Sequence, residues 1–124
     1  MLRKKHLYDK EKNMIPLLDT HMHLVYRDKA SYGWTKDIPP LAEDNFKLED
    51  YNTLTEEFGI GGTLCMETGV DDPDYQKETR FVHSLADDPD SNLRGLISSI
   101  RPENDEGFET WMNKTFPKAN IGVS

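Results

Sequence analysis

Three side chains with chemical potential lie at alternate positions in the segment IPLLDTHMHL, residues 15–24: Asp19, His21 and His23. If this segment is an extended strand, successive side chains point to opposite faces, so these three would project from the same face. Neutral imidazoles are common metal ligands, and a carboxylate beside them can orient an imidazole or act as a base. The spacing therefore indicates the start of a metal or catalytic site at the end of a strand.

A second acid is expected close to this pair of histidines. An H-x-H pair alone is more often structural, but here apolar residues precede it and an acid lies two positions earlier. Glu67 follows another apolar run, GGTLCM, at residues 61–66. In parallel α/β folds, sites gather where strands end, so Glu67 is predicted to contact substrate or metal there.

The elements that must position these residues alternate along the chain. Predicted strands occupy IPLLDTHMHL, GGTLCMET and LRGLISSI, with NIGVS as the beginning of a fourth; predicted helices occupy KLEDYNTLTEEFG, DDPDYQKETRFVHSLADDPD and NDEGFETWMNKTF. Strands that alternate with helices imply parallel pairing through right-handed crossovers. The predicted fold class is therefore α/β.

Periodicity also assigns faces within these elements. In the second strand, Thr63 and Cys65 are expected on the same inward face as Glu67, with Leu64 and Met66 on the other. Cys65 is expected to be buried and unreactive, because it lies in the middle of a strand. In the first helix, helical spacing is expected to place four apolar residues on one face: Leu48, Tyr51, Leu54 and Phe58.

Composition favours a cytoplasmic protein that acts on a small-molecule substrate. The 15 Lys and Arg residues against 23 Asp and Glu give a net charge of -8, which argues against nucleic acid because phosphate contacts need clustered cations. No apolar run approaches the roughly 20 residues of a membrane span, so no membrane partner is expected. The single cysteine excludes an internal disulfide.

Residues 1–13 carry five basic and two acidic side chains and are predicted to form a basic flexible tail, with one domain over residues 14–124.

Several of these segments together resemble a known family. IPLLDTHMHL matches the D-x-H-x-H opening strand of the amidohydrolase superfamily. The spacing of YGW, F-x-x-E-D-Y, the strand that ends in Glu67 and GLISSIRPE is similar to the amidohydrolase-related (amidohydrolase 2) branch, which contains sugar lactonases and dicarboxylate-lactone hydrolases. The resemblance covers roughly residues 14–124 and implies a (β/α)8 TIM barrel. Eight βα units take about 250 residues, so the chain would hold about the first three to four units, as the N-terminal part of a longer enzyme, a truncated gene product or a fragment.

The resemblance implies a hydrolase that opens a lactone, or hydrolyses a related ester or amide, of a small carboxylic or sugar acid with an activated water. It implies a divalent metal, with zinc as the first choice, at His21 and His23, although some lactonases of this branch use the pair to hold substrate without a metal. Asp19 and Glu67 are then the catalytic candidates. The candidate substrate contacts are Arg27, Tyr32 and Trp34 in the first loop and Arg101 after the third strand.

Other functions stay open at this point. A metal-dependent decarboxylase and a TatD-type deoxyribonuclease begin with a similar strand, and the Tyr- and Trp-rich first loop, residues 25–46, favours the lactonase over the nuclease. The family's remaining ligands come from later strands, so a catalytically inactive half barrel is a further alternative. Whether a full-length form is a homo-oligomer is also open.

Overall fold

The elements of the chain follow the predicted alternation of strands and helices. A computed structural model describes residues 15–115 and 121–123, and the predicted basic tail at residues 1–13 lies outside these ranges. The strands and helices are β1 (Leu17–Met22), α1 (Leu48–Thr55), β2 (Ile60–Met66), α2 (Tyr75–Ala86), β3 (Leu93–Ser98), α3 (Asp105–Thr115) and β4 (Ile121–Val123). Short 3-10 turns lie at Gly33–Asp37, Pro39–Leu41, Glu56–Phe58 and Asp72–Asp74.

The four strands form one parallel sheet in the order β1-β2-β3-β4. Each strand pairs with the next strand along the chain, and the order does not reverse within the described sheet. A doubly wound sheet reverses its order at a switch point, whereas the wall of a barrel adds strands in sequence. The prediction of an α/β fold with parallel strands is confirmed, and the strand order is consistent with part of a (β/α)8 barrel.

The hydrophobic core lies between the sheet and the helices α1 and α2. The strands and the residues just after them contribute Met22, Leu24, Tyr26, Cys65, Leu93 and Leu96, and the helices contribute Tyr51 and Val82. Burial raises the pKa of the Cys65 thiol to about 12, in agreement with the expected buried and unreactive cysteine. The other face of the sheet has no such layer of helices within the described residues.

The prediction of which face of β2 points inward is wrong. Thr63 and Cys65 are only 0% and 3% exposed and lie on the core side of the sheet, while Leu64 and Met66 are half-buried. The prediction extended strand alternation as far as Glu67, but β2 ends at Met66 and the chain turns there. The face of the Glu67 side chain therefore cannot be used to assign the faces of the residues in β2.

Helix α1 ends as predicted but buries fewer residues than predicted. Gly59, after a 3-10 turn, has a left-handed φ of 66° and stops the helix. Leu54 is 68% exposed rather than packed in the core. Its three-residue spacing from Tyr51 and Leu48 drifts by about 60° per step on a helix of 3.6 residues per turn, which carries Leu54 off the buried face.

Helices α2 and α3 begin later than the sequence indicates. Residues Asp72–Asp74 form a 3-10 turn, so the α-helix begins at Tyr75 and not at the start of the predicted segment DDPD. In α3, Glu106 and Gly107 have non-helical dihedral angles, with a φ of 83° at Gly107. Within the described residues, no helix combines the length and apolar character needed to cross a membrane.

Strand β1 is an edge of the described sheet and carries exposed apolar side chains. Leu18 is 58% exposed, Leu17 is also exposed, and so is Ile15 just before the strand. An edge strand presents unpaired backbone N–H and C=O groups that can pair with another chain.

We expect the purified chain to self-associate through the β1 edge. Leu18→Lys should shift the chain toward monomer in size-exclusion chromatography with light scattering, because a charge on an edge strand opposes strand addition. Leu54→Lys on α1 is the matched control: it changes a leucine that is also more than half exposed and should leave association unchanged. Equal association of the Leu18→Lys variant and the parent chain would exclude this edge as the contact.

Candidate functional site

The two histidines lie at the carboxyl end of β1, and their ring nitrogens meet. Nε2 of His21 and Nε2 of His23 are 3.0 Å apart, and the rings meet edge to face with an interplanar angle of 65°. Their neighbours Met22 and Leu24 are buried in the core, whereas both imidazoles are exposed. Alternation therefore places the pair on the face of the sheet opposite the helices.

Backbone contact fixes the tautomer of His23. Its Nδ1 lies 3.0 Å from the carbonyl oxygen of Glu67. A carbonyl oxygen only accepts hydrogen bonds, so Nδ1 of His23 carries a proton and its Nε2 offers a lone pair when the ring is neutral. Nε2 of His21 then donates to Nε2 of His23. Two ring nitrogens thus point at one location with a single proton between them.

This arrangement fits two of the ligands of a zinc ion. At Zn–N distances of roughly 2.0–2.1 Å, two nitrogens of a tetrahedral site lie about 3.3 Å apart, close to the separation of the two Nε2 atoms. A metal ion would take the place of the shared proton. Among residues 15–115 and 121–123, no group of three His, Cys, Asp or Glu side chains could hold a metal. His21 and His23 therefore fit as a pair of donors and not as a complete set.

Asp19 is directed away from the imidazoles. Its Oδ2 accepts a hydrogen bond from the Tyr51 hydroxyl at 2.7 Å, and its Oδ1 accepts one from the backbone N–H of His21 at 3.0 Å. Tyr51 belongs to the core on the helix side of the sheet. The pairing of β1 with β2 shifts register between Asp19 and Met22, which breaks the strict alternation assumed for the three residues. The predicted common face is thus wrong for Asp19, and its catalytic role stays a prediction.

Glu67 forms the corner between the histidines and the next loop. Its carbonyl oxygen accepts the His23 hydrogen bond, while its Oε2 accepts the backbone N–H of Gly69 at 2.7 Å. Gly69 has a left-handed φ of 63°, a conformation that glycine adopts without strain. The turn therefore fixes the Glu67 carboxylate on the Gly69 N–H, and the contact of Glu67 with substrate or metal stays a prediction.

A cavity of about 510 Å³ opens beside His23 and Glu67. Its other lining residues are Val25, Trp34, Leu41, Phe46, Thr68 and Gly69. The first loop forms this wall because an isolated antiparallel bridge joins Val25 to Phe46 and closes the loop at its base. The Trp34 indole N–H donates to the Thr68 carbonyl at 2.9 Å and fixes the ring at the rim. A mostly apolar cavity with polar groups at one end is typical of a small-molecule site.

Two of the predicted substrate contacts instead stabilise the first loop. The Arg27 guanidinium donates to the Asp44 carbonyl at 3.0 Å, to the Thr35 hydroxyl at 3.1 Å and to the Leu41 carbonyl. Tyr32 is buried, and its hydroxyl accepts the backbone N–H of Tyr26 at 3.1 Å. Neither side chain lines the cavity beside His23. Their roles toward substrate stay predictions.

Arg101 lies at the predicted end of the sheet, after β3, and is engaged with the protein. Its Nε donates to the Asp72 carboxylate at 3.0 Å, and its guanidinium lies over the Tyr75 ring at 5.0 Å from the centroid. These contacts join the end of β3 to the start of α2. A substrate carboxylate would have to compete with Asp72 for this arginine.

A buried carboxylate near the site has no counterpart among the predicted residues. Glu78 on α2 is 6% exposed, and its Oε2 and Oε1 accept the backbone N–H of Thr68 at 3.2 and 3.4 Å. Burial raises the pKa of Glu78 to about 7; the charge of Glu67 adds to this shift, and the Thr68 hydrogen bond opposes it. The signal for it in the sequence is helical spacing, since an acid lies between Tyr75 and Val82 on the buried face of α2.

Comparison with solved structures finds an amidohydrolase-like fold. The described chain matches "Amidohydrolase 2 from Bifidobacterium longum subsp. infantis" with a TM-score of 0.58 and 18% sequence identity. The match covers 71% of this chain and 34% of that chain, so this chain spans about a third of the length of that structure. At this identity the likeness shows the fold alone. No protein-family profile matches the chain, and no curated protein sequence matches it significantly.

Tyr51→Phe should lower the free energy of unfolding by about 1.5 kcal/mol, because it removes a hydrogen bond to the half-exposed Asp19 carboxylate without removing the ring. Tyr75→Phe is the matched control, since the Tyr75 hydroxyl accepts only from the neighbouring Gln76 side chain in the described contacts and should cost about 0.5 kcal/mol or less. Urea unfolding followed by circular dichroism measures both changes. Equal losses would show that the Asp19 bond does not stabilise the end of β1.

Glu78 should make the free energy of unfolding fall as pH rises. Its pKa is about 7 in the folded chain against an ordinary value of 4.5, so the folded state holds the proton more tightly than the unfolded state between these values. The contribution is complete below pH 4.5 and is lost as pH rises through about 7, by at most about 3 kcal/mol. Unfolding of the parent and of Glu78→Gln at about pH 5 and about pH 8 checks this. The same pH dependence in both proteins would contradict it.

Proposed function

We propose that this chain supplies strand ends for the active site of a hydrolase that opens a lactone, or hydrolyses a related ester or amide, of a small carboxylic or sugar acid. The observation that carries the proposal is the pair of Nε2 atoms of His21 and His23, 3.0 Å apart at the carboxyl end of β1 and beside a cavity. Active sites of (β/α)8 barrels lie at this end of the strands. The amidohydrolase-like fold is compatible with a site at this place.

His21 and His23 would hold a divalent metal, with zinc as the first choice, which lowers the pKa of a bound water and polarises a substrate carbonyl. The carbonyl oxygen of Glu67 keeps the His23 ring oriented for this task, because it holds the proton on Nδ1 and leaves Nε2 as the donor atom. In a metal-free mechanism, the same two nitrogens would hold a substrate oxygen by hydrogen bonds.

The cavity favours a substrate with an apolar face. Val25, Leu41 and Phe46 form apolar walls, and the Trp34 ring lies at the rim where a planar group could stack. The Glu67 carboxylate lies at the polar end beside His23, where it would contact a hydroxyl group of the substrate or take up a proton. This lining, with the net charge of -8, favours a small organic acid derivative over the nucleic acid expected for a deoxyribonuclease.

A panel of sugar-acid and dicarboxylate lactones tests the proposal, with hydrolysis followed by acid release in a pH-stat. The assay compares the 124-residue chain with any protein in which the reading frame continues past Ser124. We expect the chain alone neither to hydrolyse lactones nor to bind zinc tightly, because its described residues offer two metal donors and a catalytic site keeps about three. Release of carbon dioxide in place of acid would favour the decarboxylase, and no reaction by either protein would favour the inactive half barrel.

His21→Ala and His23→Ala should each abolish lactone hydrolysis in the active protein and leave the melting temperature nearly unchanged, because both side chains are exposed and add little packing. His83→Ala is the matched control: His83 lies on α2 and pairs with Asp87 at 3.1 Å, away from the cavity. Its activity should equal that of the parent. Retained activity in both site variants would remove the H-x-H pair from the mechanism.

A further inference from the structure

Glu78 and His23 bind opposite sides of one peptide group, the peptide that joins Glu67 to Thr68. Its carbonyl oxygen accepts from Nδ1 of His23 at 3.0 Å, and its N–H donates to the Glu78 carboxylate at 3.2 Å. The C=O and N–H of a peptide share one conjugated system, so a negative charge at the N–H makes the carbonyl oxygen a stronger acceptor. We infer that Glu78 is a positioning residue for His23 and acts through this peptide. The inference rests on the proposed function in that it assigns His23 to the site.

Neighbouring groups hold this peptide in place, so it forms a fixed link between Glu78 and His23. The backbone N–H of Glu67 donates to the Ile97 carbonyl at 2.9 Å, and the Thr68 hydroxyl donates to the Leu24 carbonyl at 3.0 Å. The Trp34 indole donates to the carbonyl of Thr68. The segment after β1, strand β3 and the first loop are thus all attached to these two residues, and these contacts oppose rotation of the peptide.

A carboxylate at this position costs stability, which points to a role beyond packing. Glu78 lies among core residues on α2, one turn before the buried Val82, and an apolar side chain would fill such a position without desolvating a charge. When Glu78 is ionised, its hydrogen bond to the Thr68 N–H is charge-assisted. A carboxylate that bonds directly to an imidazole fixes the tautomer and raises the basicity of the ring. Here one peptide group lies between the carboxylate and the imidazole.

The test measures the tautomer of His23 by long-range proton–nitrogen correlation in the ¹⁵N-labelled chain at about pH 8, above the pKa of about 7 for Glu78, so that Glu78 carries its charge. In the parent, neutral His23 should carry its proton on Nδ1. Glu78→Gln keeps the size and an acceptor oxygen but removes the charge, and the ratio of the Nδ1–H to the Nε2–H form should fall by about threefold or more.

Val82→Ala is the matched control, because it removes buried packing on the same face of α2 and touches no hydrogen bond of the link. It should lower the melting temperature and leave the His23 tautomer ratio unchanged. An unchanged ratio in folded Glu78→Gln, or an equal change in Val82→Ala, would overturn the inference.

A measurement on the parent keeps the inference testable if Glu78→Gln fails to fold. The scalar coupling across the hydrogen bond between the Thr68 amide nitrogen and the Glu78 carboxyl carbon should be detectable, and its absence would also overturn the inference. Neither measurement needs substrate or metal. A failure of the connection from Glu78 through the peptide to His23 can therefore be told apart from a failure of the proposed lactone hydrolysis.

Discussion

The hydrogen bond between Nδ1 of His23 and the carbonyl oxygen of Glu67 joins the ends of β1 and β2, and the candidate site depends on it. It sets the proton on one ring nitrogen and leaves the other free to meet His21. The Glu67 side chain is held at the same corner by a separate hydrogen bond, from the Gly69 N–H to its carboxylate. One backbone oxygen therefore determines the tautomer of His23 and orients its Nε2 toward His21.

The two faces of the sheet are built differently, and this difference makes the histidines available. On one face, α1 and α2 cover Met22, Leu24 and Cys65 and form the core. On the other, the imidazoles are exposed and bonded to each other. The stability of the chain thus comes from the helix side, so substitutions of the histidines can change chemistry without removing the packing that holds β1 in place.

Fold likeness and site geometry support different conclusions. The match to an amidohydrolase at 18% identity shows how the strands are ordered, and many activities share such barrels. The reaction proposed above rests on what the side chains do: two nitrogens at a strand end, a carboxylate beside them and an apolar wall that includes Trp34. A relative with the same fold and another lining would be expected to accept another substrate.

The sequence by itself determined the alternation of strands and helices, the helix stop at Gly59 and the shared face of His21 and His23, because each depends on periodicity or local conformation within one segment. The order of these elements also predicted the parallel pairing of the strands. Only the tertiary structure decided which residues share a face across segments. A register shift between paired strands turned Asp19 toward Tyr51. Because β2 ends at Met66, the side chain of Glu67 does not lie on the same face as Cys65. Strand register is set by contacts between segments distant in sequence, and no local pattern carries that information.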